Sequence, residues 1–250
     1  MRSADWSLPT TNYQPSTVWE FFMKNNTEFL QKLDSVIGQN AMLNHPFYQT
    51  WSMGKLSREA LREYAKQYYH FVQAFPTLLS ATHANTPDLS IRQELLENLI
   101  EEERGEGNHP GLWMRFAESL GVSEDEAKST PLLPETREAI DALRTVTRDR
   151  SYLAGVSALY AYESQIPEVA SVKIDGLRKF YGITGDRALS FFTVHKEADV
   201  YHSAGEKKIL AGNVSSGDEA ECLGAARDAS RAMLRLLDGV YRAYVHPSNN

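Results

Sequence analysis

Apolar residues recur along most of the chain at intervals of three and four, the period of a helix with one buried face. From Thr27 the stripe Phe29, Leu30, Leu33 and Ile37 predicts a helix that stops at Gly38, where a left-handed backbone costs least. Ser57 predicts the cap of a second helix bearing Leu61, Tyr64, Tyr68, Phe71, Val72 and Phe75, bent or ended by Pro76. Ser90 with Gln93 reads as a capping box ahead of Leu95, Leu96, Leu99 and Ile100. Trp113, Phe116 and Leu120 mark a short helix closed by Gly121, STPLLP a loop, and Glu135 to Arg148 a further helix. The segment from Ser151 to Tyr181 is expected to kink at Pro167, where the ring removes a donor. Asp186 to Leu210, and a last segment opened by Ser216 and Glu219, complete the set. With no clean run of strict alternation, no strand is expected. The pattern predicts an all-α bundle of about seven or eight helices in one domain, residues 27–250. Residues 1–26 would precede it as an arm or short helix docking through Trp19, Phe21 and Phe22.

Composition narrows the function classes. A chain of 250 residues, 42% apolar and 24% charged, can bury a substantial core in one large domain. Its 26 Lys+Arg against 33 Asp+Glu, a net charge of −7, disfavours nucleic acid and anionic membrane as partners, both of which demand a basic excess. Cys222 is the only cysteine, which excludes an internal disulfide and a thiolate metal cluster and makes a reducing cytoplasm the expected setting. No stretch approaches the roughly 18 apolar residues of a membrane span, and the amino terminus lacks a basic-then-apolar signal pattern. A homodimer is expected from the aromatic-rich surface that a bundle of this size leaves over.

The stretch HKEADVYH places His195, Asp199 and His202 at i, i+4 and i+7. At about 100° per residue they fall within about 60° of one another, a face able to chelate one ion or bracket two. A solvated face is the alternative, since Lys196, Glu197 and Glu206 show how polar this helix is. Glu102 and His109, seven apart in EEERGEGNH, would share a stripe if their helix were continuous, but Gly105, Gly107 and Pro110 weaken it, and an acidic helix end facing water is equally consistent. Glu163 stands alone in the apolar stretch ALYAYESQIP, so it requires a partner, whether a metal or an arginine. Together these six residues supply three carboxylates and three imidazoles, a donor set for two divalent ions in a non-haem site that activates dioxygen or catalyses hydrolysis. The surrounding tyrosines favour redox work.

The strings HPFYQTWS, YAKQYYHFVQAFPTLLSATH, EEERGEGNHPGLW, ALYAYESQIPEVASVKIDGL and FFTVHKEADVYH, spanning about residues 40 to 210, resemble the chlamydial protein-associating-with-death-domains family, a branch of the haem-oxygenase-like dimetal oxidases. The resemblance implies a haem-oxygenase-like bundle whose six ligands fall on Glu102, His109, Glu163, His195, Asp199 and His202. It implies two transition-metal ions (two irons, or iron with manganese), dioxygen and an external reductant. The implied activity is synthesis of para-aminobenzoate, the folate precursor, from the protein's own Tyr48, with Lys173 as amine donor and Tyr64 and Tyr162 as redox-active phenols. Read on their own, these tyrosines suit a core and Lys173 an exposed helix position. The other readings are a dimetal oxidase acting on a diffusible amine or fatty acid, and a helical interaction protein with a vestigial metal site. A cysteine nucleophile, as in thiaminase-like branches of the fold, finds a poor match in Cys222.

Overall fold

The computed structural model describes residues 17–246, with side chains from Asn26 onward, so the part of the expected arm of residues 1–26 that precedes Thr17, and the side chains of Trp19, Phe21 and Phe22, lie outside what is described. Among the described residues there are eleven α-helices and no strand. The all-α expectation stands; the helices are more numerous because short ones escape a periodicity search. The helix expected from Thr27 begins earlier, as α1 (Thr17–Gln39). One unforeseen element is α2 (Pro46–Ser52), whose seven residues open on Pro46 under the His45 cap. Another is α6 (Glu124–Ser129), capped by Ser123.

Helix α3 (Arg58–Asn85) is capped by Ser57, as predicted, but runs through Pro76. An interior proline costs about 3 kcal/mol. The buried Phe75, Leu78, Leu79 and Thr82 on either side of it hold the helix together. Helix α4 (Leu89–Glu103) is capped by Asp88, whose carboxylate accepts from the backbone of Ser90 and Ile91; the Ser90/Gln93 box is not formed. A turn containing Gly105 at φ 70° leads to α5 (His109–Ser119), which stops before Gly121 at φ 82°. After α7 (Pro134–Asp149), the long segment from Ser151 divides into α8 (Tyr152–Glu163) and α9 (Ile166–Phe180). The break falls at Ser164 and Gln165, and Pro167 sits harmlessly in the first turn of α9, where its missing donor would be unpaired anyway. Helix α10 (Asp186–Asn213) and α11 (Glu219–Val240) follow; Asp218 occupies the cap position of α11 with no side-chain cap bond, so the Ser216/Glu219 box is absent.

Every residue of α8 from Leu153 to Glu163 is buried, the mark of a helix surrounded on all sides. It packs against α11, α10, α7 and α3. Gly155 permits the approach to α3, since a Cβ there would lie 2.8 Å from Thr82 Oγ1. Helix α10 lies across α9, α5 and α8. Gly176 of α9 accepts the Trp51 indole of α2, where a Cβ would meet Nε1 at 2.5 Å. That contact seats α2, and with it Tyr48, against α9. Among the described residues no helix is long and apolar enough to cross a membrane.

Candidate metal centre and aromatic box

The six expected ligands come from four helices. Glu102 ends α4 and His109 begins α5, so they do not share a continuous helical stripe; the glycine turn, with Asn108 capping α5, folds one back on the other. Glu163 closes α8, while α10 contributes His195, Asp199 and His202. The side chains converge in two groups. Glu102, His109 and His195 offer donor atoms within 4.8 Å of one another, as do Glu163, Asp199 and His202. Helix α10 joins the two groups because successive turns of one stripe point into each.

Their polar atoms face one another at close range without hydrogen bonds. His109 Nδ1 lies 2.7 Å from Glu102 Oε2 and His202 Nδ1 3.4 Å from Asp199 Oδ1, neither contact forming a hydrogen bond, and the buried Asp199 Oδ2 has no partner. Such atoms are costly in a core unless something fills the space between them. Divalent cations fit that space: imidazole and carboxylate lone pairs point inward, and the outer atoms are already tied down. His195 Nδ1 donates to Phe191 O at 2.7 Å, which frees Nε2 for the interior. His202 Nε2 meets Glu101 Oε2 at 3.1 Å, and Asn98 Nδ2 donates to Glu163 Oε1 at 3.0 Å. These outer contacts orient ligands in metal sites generally.

The electrostatics agree. Burial, reinforced by Asp199, raises the Glu163 carboxyl, and burial also raises Asp199. Burial and the neighbouring His109 hold His195 well below its usual value. Burial opposes charge on His202 too, but Asp199 and Glu163 outweigh it and raise the imidazole to about 9. Packed carboxylates that resist ionisation together are what a bound cation relieves.

Beside these clusters lies an aromatic box. Lys173, read from sequence alone as exposed, is 2% exposed, and its Nζ donates to Tyr64 Oη at 2.8 Å. The ammonium position stands over the rings of Tyr68 at 4.8 Å, Tyr64 at 5.3 Å and Tyr48 at 5.4 Å. Burial with no carboxylate at hand lowers Lys173 to about 7. The Tyr48 and Tyr64 hydroxyls are 3.4 Å apart, and Trp51, whose indole donates to Lys173 O at 3.4 Å, fixes the register of the two helices. Tyr162 and Tyr68 share a hydrogen bond of 2.8 Å; Tyr162 precedes the ligand Glu163, and the Tyr68 and Tyr64 rings lie 5.2 Å apart. Burial raises all four phenols, so they stay protonated at neutral pH.

Sequence reasoning missed three participants. Glu101, exposed near the end of α4, holds His202. Asn98 was not singled out. Glu206, counted among the polar surface of α10, is buried. Its position, four residues beyond His202 on the same stripe, was the available signal. Cys222 is wholly buried, and burial raises its thiol to about 11, so it has no nucleophile's environment.

Residues 62–238 match the family described as iron-containing redox enzyme. A 4-aminobenzoate synthase of Nitrosomonas europaea is 45% identical over 232 residues, covering 89% of this chain and 94% of that protein. The 4-aminobenzoate synthase of Chlamydia muridarum is 44% identical, covering 84% of this chain and 89% of its own. Among solved structures, a CADD-like protein of unknown function from Nostoc punctiforme superposes with a TM-score of 0.73 at 20% identity, covering 89% of this chain and 99% of that one. A Shewanella denitrificans domain with a heme oxygenase-like fold gives 0.70 at 17% identity, covering 89% and 92%. The fold is therefore haem-oxygenase-like.

Proposed function

This chain belongs to the iron-containing redox enzyme family, and from that membership we propose that it makes para-aminobenzoate from its own Tyr48, with Lys173 as amine donor, dioxygen as oxidant and an external reductant. The observation that carries this reading is the enclosed amine. Lys173 sits with its pKa near 7 among phenols, 2.8 Å from Tyr64 Oη, so a large fraction is neutral and nucleophilic at physiological pH. The relatives named 4-aminobenzoate synthase supply the product class.

Glu102, His109 and His195 would hold one ion and Glu163, Asp199 and His202 the other, two irons or iron with manganese; when bound, these supply the activation of dioxygen that oxidation of a phenol requires. The remaining work falls to the chain itself. Tyr162 and Tyr68, linked by their hydroxyls, extend from the ligand Glu163 towards Tyr64, which contacts both Tyr48 and Lys173. This line of phenols suits transfer of electrons and protons between Tyr48 and the metal ligands. Tyr64 accepts the Lys173 N–H and so orients the amine beside the Tyr48 ring. Packing excludes water from reactive species. In the product, the Tyr48 ring and Cβ become the ring and carboxyl carbon. The lysine nitrogen condenses with the oxidised ring and the phenol oxygen leaves as water; hydrolysis then breaks the Cε–Nζ bond and leaves an aldehyde at Cε. The Cα–Cβ bond breaks as Cβ is oxidised to the carboxyl level at the expense of dioxygen and the reductant. Each chain would act once. With Tyr48 1% exposed and its surroundings filled by the chain's own side chains, a diffusible substrate is less well accommodated.

The test is isotopic. Protein carrying ring-carbon-13 tyrosine should release labelled para-aminobenzoate in oxygen with reductant and metal, and free labelled tyrosine should contribute none. Full yield from Tyr48→Phe, or many turnovers per chain on added tyrosine, would overturn the proposal.

A further inference from the structure

Glu206 is 3% exposed, and neither of its carboxylate oxygens has a hydrogen-bond partner. It belongs to the same face of α10 as His195, Asp199 and His202: at about 100° per residue it falls about 20° from His195, within the arc of the other three. The charged groups that act on it most strongly are the carboxylates of Glu163 and Asp199. A third acid packed against two others, all buried, is a poor solution for a helical core unless a cation lies among them.

A second observation points the same way. Glu206 and His202 line a cleft of about 170 Å³, with Asn98 beside them and Glu94, Glu97 and Glu101 towards solvent. Gly205 makes room on this wall: a Cβ there would lie 2.7 Å from Glu94 Oε1. The cleft thus lies beside the Glu163 half of the centre, lined by His202, by Glu206 and by Asn98, the hydrogen-bond partner of Glu163.

We propose that Glu206 is a seventh metal-binding residue, joining Glu163, Asp199 and His202 around the ion in that half of the centre. The inference rests on the two-ion reading above and deepens it. It makes the halves chemically unlike: one carboxylate with two imidazoles in the first, three carboxylates with one imidazole in the second. It also balances charge, since the six expected ligands leave one positive charge over from two divalent ions, and a fourth carboxylate removes it.

The test uses full-length protein titrated with Mn²⁺ alone by calorimetry, with melting temperature as a parallel readout. Wild type should bind two ions. Glu206→Gln, nearly isosteric, should weaken one of them at least about tenfold, the loss typical of removing a group that supports a metal site. Glu206→Ala should weaken the same ion further. Because Glu206 makes no hydrogen bond in the metal-free protein and glutamine fills the same space, the metal-free protein should melt no lower for Glu206→Gln than for wild type, and the rise in melting temperature on adding Mn²⁺ should shrink. Two wild-type affinities in both variants would overturn the inference while leaving the two-ion reading intact. A lower metal-free melting temperature with an undiminished metal-induced rise would also overturn it, by assigning Glu206 a packing role. Fewer than two ions in wild type would overturn the two-ion reading and this inference together.

Discussion

The metal cluster and the aromatic box are neighbours that bury polar groups by opposite means. In the cluster, His109 Nδ1, Asp199 Oδ2, His202 Nδ1 and both Glu206 oxygens lack hydrogen-bond partners. In the box, Lys173 Nζ bonds Tyr64, Tyr64 meets Tyr48, and Tyr68 bonds Tyr162, so the hydroxyls and the amine are mutually satisfied. An unsatisfied cluster of carboxylate and imidazole donors is a receptor for a cation. A satisfied box is a preorganised arrangement, in which cost has been met by packing and the amine is held neutral without an anion. The difference assigns ion binding to one region and reacting atoms to the other.

The largest expected effects separate the two regions outright. Tyr48→Phe and Lys173→Arg should each abolish para-aminobenzoate release, measured by mass spectrometry, while the metal content by elemental analysis stays at the wild-type level; Phe keeps the packing and Arg supplies no simple amine. His195→Ala should do the reverse first, losing an ion and with it product. Should Tyr48→Phe lose metal, the division between box and cluster would fail.

An intermediate effect is expected at Asn98, which touches Glu163 but belongs to neither set. Asn98→Ala should weaken the ion in the Glu163 half by about tenfold in a Mn²⁺ titration. The ion held by Glu102, His109 and His195 should be unchanged.

The pH dependence sharpens the account of the box. Folded Lys173 loses its proton near pH 7, whereas the unfolded side chain keeps it to about 10.4. Between those values the unfolded state binds the extra proton, so this residue makes stability rise with pH, by up to about 1.4 kcal/mol per unit. Below pH 7 both states are protonated and the slope from this group vanishes. Denaturant melts of Lys173→Met should lack that rise, and product release by wild type should increase through pH 7 as the amine is freed. An equal slope in Lys173→Met would place the titration elsewhere.

The smallest effect tests how the cluster is held. Asp88→Ala removes the cap of α4, the helix bearing Asn98 and Glu102, and should cost about 1 kcal/mol in urea melts. Product release per bound metal should be unaltered.

Several parts were legible before any tertiary contact. The 3.6-residue period predicted α3, α5, α7 and α10, and local chemistry predicted the Ser57 cap and the stop at Gly121. Where two local signals competed, sequence reading chose wrongly. Ser90/Gln93 lost to Asp88, which lies two residues earlier with a charged acceptor, and Pro167 marked the start of a helix instead of its kink. Helix α2, at seven residues, is too short to show a period, yet it carries Tyr48.

The chain by itself determined the stripe of His195, Asp199 and His202, because angular spacing within one helix follows from its pitch and needs no neighbour. It determined through Glu163 that a buried charge must find a partner, because desolvation is costly wherever the fold places it. Only the tertiary structure decided that Glu102 and His109 meet across a break between helices, at 2.7 Å. It alone turned Lys173 from an apparent surface residue into an enclosed amine, and Glu206 from a polar decoration into an unpaired acid. The physical reason is common to all three: exposure and partners depend on which helices cross where, through contacts such as Gly176 under Trp51 and Gly155 against Thr82, and no local period carries that information.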